Sequence, residues 1–223
     1  MKTCSKLHFG LCSSGATKSR TRGTLARSTR IPVAIAGIGL LASLSCAGKP
    51  DKDRLTEVIQ PDYSVYKASV DRYLARRCGT LDCHGQPGRS YRIYGREGFR
   101  LYNLDAGLVS GQATTVEDEI RANLQAIVGV EPEEMTRLMA TQGADPNKLI
   151  FLRKPLRLER HKGGPAMAED DPGYRCVVAW LRIPVVKIVD SPEGPVPEPI
   201  PPNQRAKLSP RALADCSDAE NFP

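Results

Sequence analysis

Histidine is scarce in this chain: three in 223 residues, at positions 8, 84 and 161. A closed zinc site asks for four nitrogen or sulfur ligands, and so few histidines fit one poorly. Acid is missing from residues 1–46, where Lys2, Lys6, Lys18, Arg20, Arg22, Arg27 and Arg30 stand alone. The formal charge of +7 therefore lies in that segment, and residues 47–223 hold 25 basic and 25 acidic side chains. With a net charge of zero outside the first 46 residues, no nucleic-acid partner is expected. Long apolar runs are missing too. "IPVAIAGIGLLASL", Ile31 to Leu44, would span about 21 Å as a helix, short of a bilayer core of about 30 Å. No internal repeat, Ser/His/Asp order, phosphate loop or conspicuous acidic pair occurs, so no catalysis is expected.

What is present begins with export. A basic, Ser/Thr-rich stretch, the 14-residue apolar run and "ASLSCAGKPD" have the layout of a signal peptide. A cysteine just after the apolar run and small residues resembles a bacterial lipobox. That resemblance implies residues 1–45 as a lipoprotein-type signal, Cys46 as the lipidated first residue of the mature chain, and a membrane partner through that lipid. Simple cleavage and an uncleaved anchor are the alternatives. Residues 46–62 are polar and punctuated by proline, as suits a tether.

Residues 63–183 carry helical patterning. Tyr66, Val70, Tyr73 and Leu74 are spaced i, i+4, i+7, i+8 and predict a helix that delivers its C-terminus to Cys78, with Gly79 to break it. Residues 85–111 are Gly- and Arg-rich and predict loops, with short extended pieces around 91–94 and 99–102. Thr114 and Glu117 have capping-box spacing ahead of a stripe of Val116, Ile120, Leu124, Ile127 and Val128. Pro132, Pro146 and Pro172 each take a first-turn position. From residue 184 the proline-dense "PEGPVPEPIPPNQ" predicts an extended polyproline-like strap and tail, 184–223. The expected class is mostly α, a small helical domain with long loops.

The chemistry concentrates in "CGTLDCHG", Cys78 to Gly85. Two thiols on one short loop can each take a haem vinyl group, and a histidine next to the second is carried beneath the iron. The usual spacing is Cys-x-x-Cys-His; here two further residues separate Cys78 from Cys83-His84. "RKPL" at 153–156, "HKGG" at 161–164 and Trp180 in "VVAWL" follow in order. Together these motifs, over residues 63–182, resemble the small cytochrome c-like haem-binding domains of exported bacterial lipoproteins. The resemblance implies haem c held by Cys78 and Cys83, with His84 as proximal ligand, and electron transfer with a redox partner protein in the periplasm or at the outer membrane. A secreted form is the other possibility. His161 is the candidate distal ligand, with Met167 the alternative; Met135 and Met139 share a face with Leu138 and read as core. A Cys78–Cys83 disulfide beside an idle His84 is the competing reading, a haem-free, disulfide-stapled envelope lipoprotein acting as a structural or binding module. Another metal is the third. Once signal, anchor and motif are served, Cys176 and Cys216 remain, and in an oxidising compartment they are expected to pair.

Overall fold

In the computed structural model, residues 57–101, 111, 114–192 and 194–221 are described. The signal, Cys46 and the start of the tether lie outside them. The described residues form six helices, one two-stranded hairpin and long loops.

Helix α1 runs as Tyr63–Val65, a wider π-helical turn Tyr66–Val70, and Asp71–Arg77. Asp62 starts it by accepting the N–H of Val65 at 2.9 Å. In the wide turn, the N–H of Asp71 reaches the carbonyl of Tyr66, five residues back. The expected stripe of Tyr66, Val70, Tyr73 and Leu74 is buried. Helix α2, Glu117–Val130, starts later than Thr114. Its N-cap is Val116, and Glu119 rather than Glu117 accepts that residue's N–H, at 3.1 Å. Glu117 instead accepts the Tyr63 hydroxyl and pairs with Lys67 and Arg121. Helix α3 is Pro132–Ala140, α4 the single turn Ile150–Arg153 and α5 Pro172–Leu181. Each of α3 and α5 opens on the expected proline. Asp145 does not cap its proline turn: it sits in the left-handed region at φ 55° with no capping bond.

The strap expected after residue 183 is instead a β-hairpin and a helix. Strand β1, Val186–Ser191, pairs antiparallel with β2, Gly194–Pro199, in the register Val186↔Pro199 to Ser191↔Gly194. Proline density hides this strand but does not forbid it. Pro195, Pro197 and Pro199 alternate with Val196 and Glu198, so every missing N–H falls on one edge of β2. The even residues keep their N–H toward β1, and the N–H of Ile200 continues the ladder to the Val185 carbonyl at 2.8 Å. The proline edge cannot accept another strand.

Helix α6, Pro210–Asn221, returns to the helical body. Leu208, Ala212, Cys216 and Ala219 enter the same core as Trp180, Tyr66, Leu74 and Leu152. A boundary after residue 183 therefore follows composition, while the core runs across it. The Cys176–Cys216 disulfide expected from the cysteine inventory is formed. Arg175 pairs with Asp215 at 2.8 Å, and Arg72 with Glu220 at 2.9 Å, on the same seam. With a sequence separation of 40, the cross-link is worth about 4 kcal/mol in the chain-entropy treatment. The Cys176→Ser, Cys216→Ser double variant is expected to lose about 2–4 kcal/mol. Urea titration measures this, and an unchanged midpoint would show that α6 is held by its ion pairs and packing alone.

Two buried polar groups fasten the loops to the helices. Glu119 takes both Arg100 nitrogens, at 2.8 and 2.7 Å, and the N–H of Leu101 at 2.9 Å. Asn123 accepts the Tyr94 N–H at 2.6 Å and donates to the Tyr94 carbonyl and to Asp71, each at 2.9 Å. Residues 91–94 form no strand, and one α2 side chain holds both backbone groups of Tyr94. Burial raises the Asp71 carboxyl's pKa even though Asn123 and Tyr66 donate to it.

Candidate functional site

Helix α1 ends at Cys78, whose N–H still reaches the Leu74 carbonyl at 2.8 Å. From there the chain makes a closed loop. The N–H of Cys83 and of Gly85 both reach the Thr80 carbonyl, and the N–H of His84 reaches the Cys78 carbonyl at 2.8 Å. Two longer-range bonds anchor it: Leu81 N–H to Glu97 carbonyl and Ile93 N–H to His84 carbonyl. Glycine is required where these segments cross. A Cβ on Gly85 would lie 2.0 Å from the Gly79 carbonyl oxygen, and one on Gly98 only 1.9 Å from the same atom. The glycine after His84 is thus a packing requirement of the loop.

Cys78 and Cys83 are both free thiols. The staple proposed by the haem-free reading is therefore not formed. Burial pushes the Cys78 thiol up to about 12, with Cys83 adding to the effect, so Cys78 is a neutral thiol at pH 7.

The His84 ring is held by two contacts. Its Nδ1 lies 3.0 Å from the Tyr91 carbonyl oxygen, and the Tyr91 ring meets it edge-on at 4.6 Å. A carbonyl can only accept, so Nδ1 carries the proton and Nε2 is left with the lone pair when the ring is neutral. His161 repeats the arrangement on the other side, with Nδ1 2.7 Å from the Gly164 carbonyl oxygen. Its loop is tied back at two places. Arg77, beside Cys78, donates to the Ala166 carbonyl at 2.9 Å, and the Ala166 N–H reaches the Pro155 carbonyl at 3.0 Å.

The two imidazoles face one another. Their centroids are 6.3 Å apart and their planes differ by 11°. Met167, Met135 and Met139 are buried in the apolar core. Of the candidates for a second ligand, the structure brings His161 to His84. Neither carbonyl that orients the rings was visible in the sequence, since backbone acceptors carry no residue signature.

No protein-family model, curated protein or solved structure matches the chain. Among the described residues, no three or more His, Cys, Asp or Glu side chains converge to hold a metal ion. A surface cleft of about 560 Å³ lies elsewhere, lined by residues such as Asp145, Lys148, Tyr174 and Arg182, and includes none of Cys78, Cys83, His84 or His161.

Haem c can be tested against these residues. The ring centroids are 6.3 Å apart, and the engagement of each Nδ1 by a carbonyl leaves Nε2 as the free nitrogen of each ring. Each ring donates its other N–H to a carbonyl, the usual way a ligating histidine is oriented. The two free thiols precede His84 on the same loop. The donor types present, two imidazoles and two free thiols, are those such a group would take.

Burial lowers the pKa of His84; Tyr91's carbonyl opposes this, while His161, Arg89 and Lys154 reinforce it. The folded, metal-free chain therefore binds fewer protons at His84 than the unfolded chain does. Stability from this group is complete above the ordinary histidine pKa of about 6.5 and falls as pH drops through and below it. Thermal melts of metal-free protein between pH 7.5 and 5 are expected to show a falling midpoint, flattened in His84→Gln. A wild-type slope equal to the variant's would refute the assignment.

Proposed function

We propose that the chain is a monohaem c-type cytochrome domain that moves single electrons. The observation that carries this reading is the facing pair His84 and His161, 6.3 Å apart and nearly parallel, each with Nδ1 already committed. Cys78 and Cys83 would hold the porphyrin covalently, His84 would be the proximal ligand and His161 the distal one. The group, when bound, supplies a one-electron iron couple. The protein's part is to orient both imidazoles through the Tyr91 and Gly164 carbonyls and to tie their two loops to the end of α1 through Cys78 and Arg77. Paired histidines set a lower potential than a histidine–methionine pair. The unbonded Cys78 and Cys83 support this reading over the haem-free one.

The test is a spectrum. Mature protein exported in a haem-maturing bacterial host is expected to be red and low-spin, with a sharp reduced α-band and haem retained on a denaturing gel. A colourless protein would support a haem-free envelope module fastened by Cys176–Cys216. Export and lipid attachment at Cys46 are part of the same proposal. Cys46→Ala is expected to move the protein from the membrane to the soluble fraction or to block its processing. Normal cleavage with unchanged membrane retention counts against it. No helix of the described residues is long and apolar enough to cross a membrane.

A further inference from the structure

Asn123 has no part in the chemistry proposed above, yet it is fully buried on α2 and its amide is spent on one loop and one helix. Its Oδ1 accepts the Tyr94 N–H at 2.6 Å, and its Nδ2 donates to the Tyr94 carbonyl and to Asp71 Oδ1, each at 2.9 Å. An N–H can only donate and a carbonyl only accept, so this set fixes which way the amide points. It also specifies the residue. An ionised aspartate has no proton to donate, and glutamine carries the same amide one methylene further out. Asp71 is anchored in turn, since its Oδ1 also accepts the Tyr66 hydroxyl at 3.0 Å, within α1. Asn123 thus ties together α1, α2 and the chain at Tyr94.

That stretch of chain is the one that holds His84 from outside its own loop. Tyr91 supplies both the carbonyl oxygen 3.0 Å from His84 Nδ1 and the ring that meets the imidazole edge-on. The Ile93 N–H reaches the His84 carbonyl at 3.0 Å. Only Arg92 and Ile93 separate Tyr94 from Tyr91, each with two soft torsions, so a fixed Tyr94 backbone limits where the Tyr91 carbonyl can go.

We infer that Asn123 is a positioning residue for His84: by holding both backbone groups of Tyr94 it fixes the Tyr91 carbonyl, which keeps the imidazole proton on Nδ1 and leaves Nε2 free for a ligand. The proton's place matters because a neutral ring protonated on Nε2 has no lone pair there to give. The geometry holds with or without a bound group, and only the identity of that group rests on the cytochrome reading.

The test uses the full mature chain with isotope-labelled histidine nitrogens, at about pH 8, above the ordinary histidine pKa of about 6.5. In metal-free protein, NMR of the ring nitrogens is expected to show His84 as the Nδ1–H form alone. In Asn123→Ala it is expected to show both tautomers, with His161, oriented by its own Gly164 carbonyl, unchanged. The Cys176→Ser, Cys216→Ser double variant controls for lost stability. It touches neither α2 nor residues 91–94 and is expected to keep His84 in the Nδ1–H form. A folded Asn123→Ala that also keeps that form alone overturns the inference and gives the role to Ile93, whose side chain is fully buried. Should Asn123→Ala not fold, hydrogen exchange of the unaltered protein decides. The Tyr94 and Ile93 amides are expected to exchange together as one unit, and a Tyr94 amide about tenfold or more faster overturns the inference. In haem-loaded protein the Asn123→Ala change is expected to raise the reduction potential, because a ligating histidine whose other N–H loses its acceptor is less basic toward the metal. Colour is read on the same samples. A red protein whose potential does not move in Asn123→Ala overturns this inference alone, and a colourless protein that shows the tautomer change overturns the cytochrome reading alone.

Discussion

His84→Ala is expected to abolish stable haem incorporation, while His161→Ala is expected to yield a red protein with an altered spectrum. The asymmetry follows from how each ring is held. His84 adjoins Cys83, so any thioether formed there keeps position 84 beside the iron, and its ring is oriented from outside its own loop by Tyr91. His161 is oriented by Gly164, three residues away in the same Gly-rich turn. In the proposed haem-bound protein its loss would remove one nitrogen ligand and leave Cys78, Cys83 and His84 to hold the group. Heme staining of denaturing gels, absorption spectra and thermal melts of the two variants read the difference. In a haem-free protein both changes would be modest, as substitutions of half-exposed residues usually are. A silent His84→Ala in a colourless protein would end the cytochrome reading.

Glu119→Ala is expected to destabilise the domain by about 3–5 kcal/mol, the cost of stranding one member of a buried ion pair. Arg100 is 6% exposed and Glu119 not at all. Burial works against the charge on Glu119, but Arg100 and the N–H groups of Leu101 and Val116 overcome it and hold the carboxyl below its ordinary pKa. Its contribution is therefore present at neutral pH and lost as pH falls through that depressed value. The carboxylate also joins three pieces of chain: the α2 start, the Arg100 side chain and the Leu101 backbone. Alanine takes the carboxylate away from the guanidinium and from two amides, while Arg100 keeps its bond to the Thr114 carbonyl. Total domain stability is usually about 5–15 kcal/mol, so this loss is expected to leave a marginal protein. The double variant Arg100→Met, Glu119→Leu is expected to recover most of the loss, because it removes both charges together. Urea titration of the two variants checks this. A double variant no better than Glu119→Ala would show that the backbone bonds to Leu101 and Val116, rather than the stranded charge, carry the cost.

Much of the helical framework was legible because it is local. The stripe from Tyr66 to Leu74, the proline starts at 132 and 172, and the stop at Gly79 depend on neighbours within a few residues, and the structure has them where the spacing puts them. The 186–199 hairpin was not legible, because whether a proline spoils a ladder depends on which edge its missing N–H faces, and only the pairing register decides that. The helix start at Val116 was misplaced for a similar reason. Thr114 and Glu117 have the right spacing, but Glu119 is drawn to Arg100, a residue outside the helix.

By itself the sequence determined that Cys78, Cys83 and His84 share one loop, that Met135 and Met139 belong to an apolar face, and that Cys176 and Cys216 were the pair left to bond. These follow from adjacency, period and elimination. Only the tertiary structure decided that His161 faces His84 and that the Tyr91 and Gly164 carbonyls orient the two rings. The physical reason is that the ring facing His84 comes from His161, on a segment far from it along the chain. Nothing in either segment's own composition specifies which side chain will cross that gap; the packing of α1, through the Arg77 bond to Ala166, brings the two loops together.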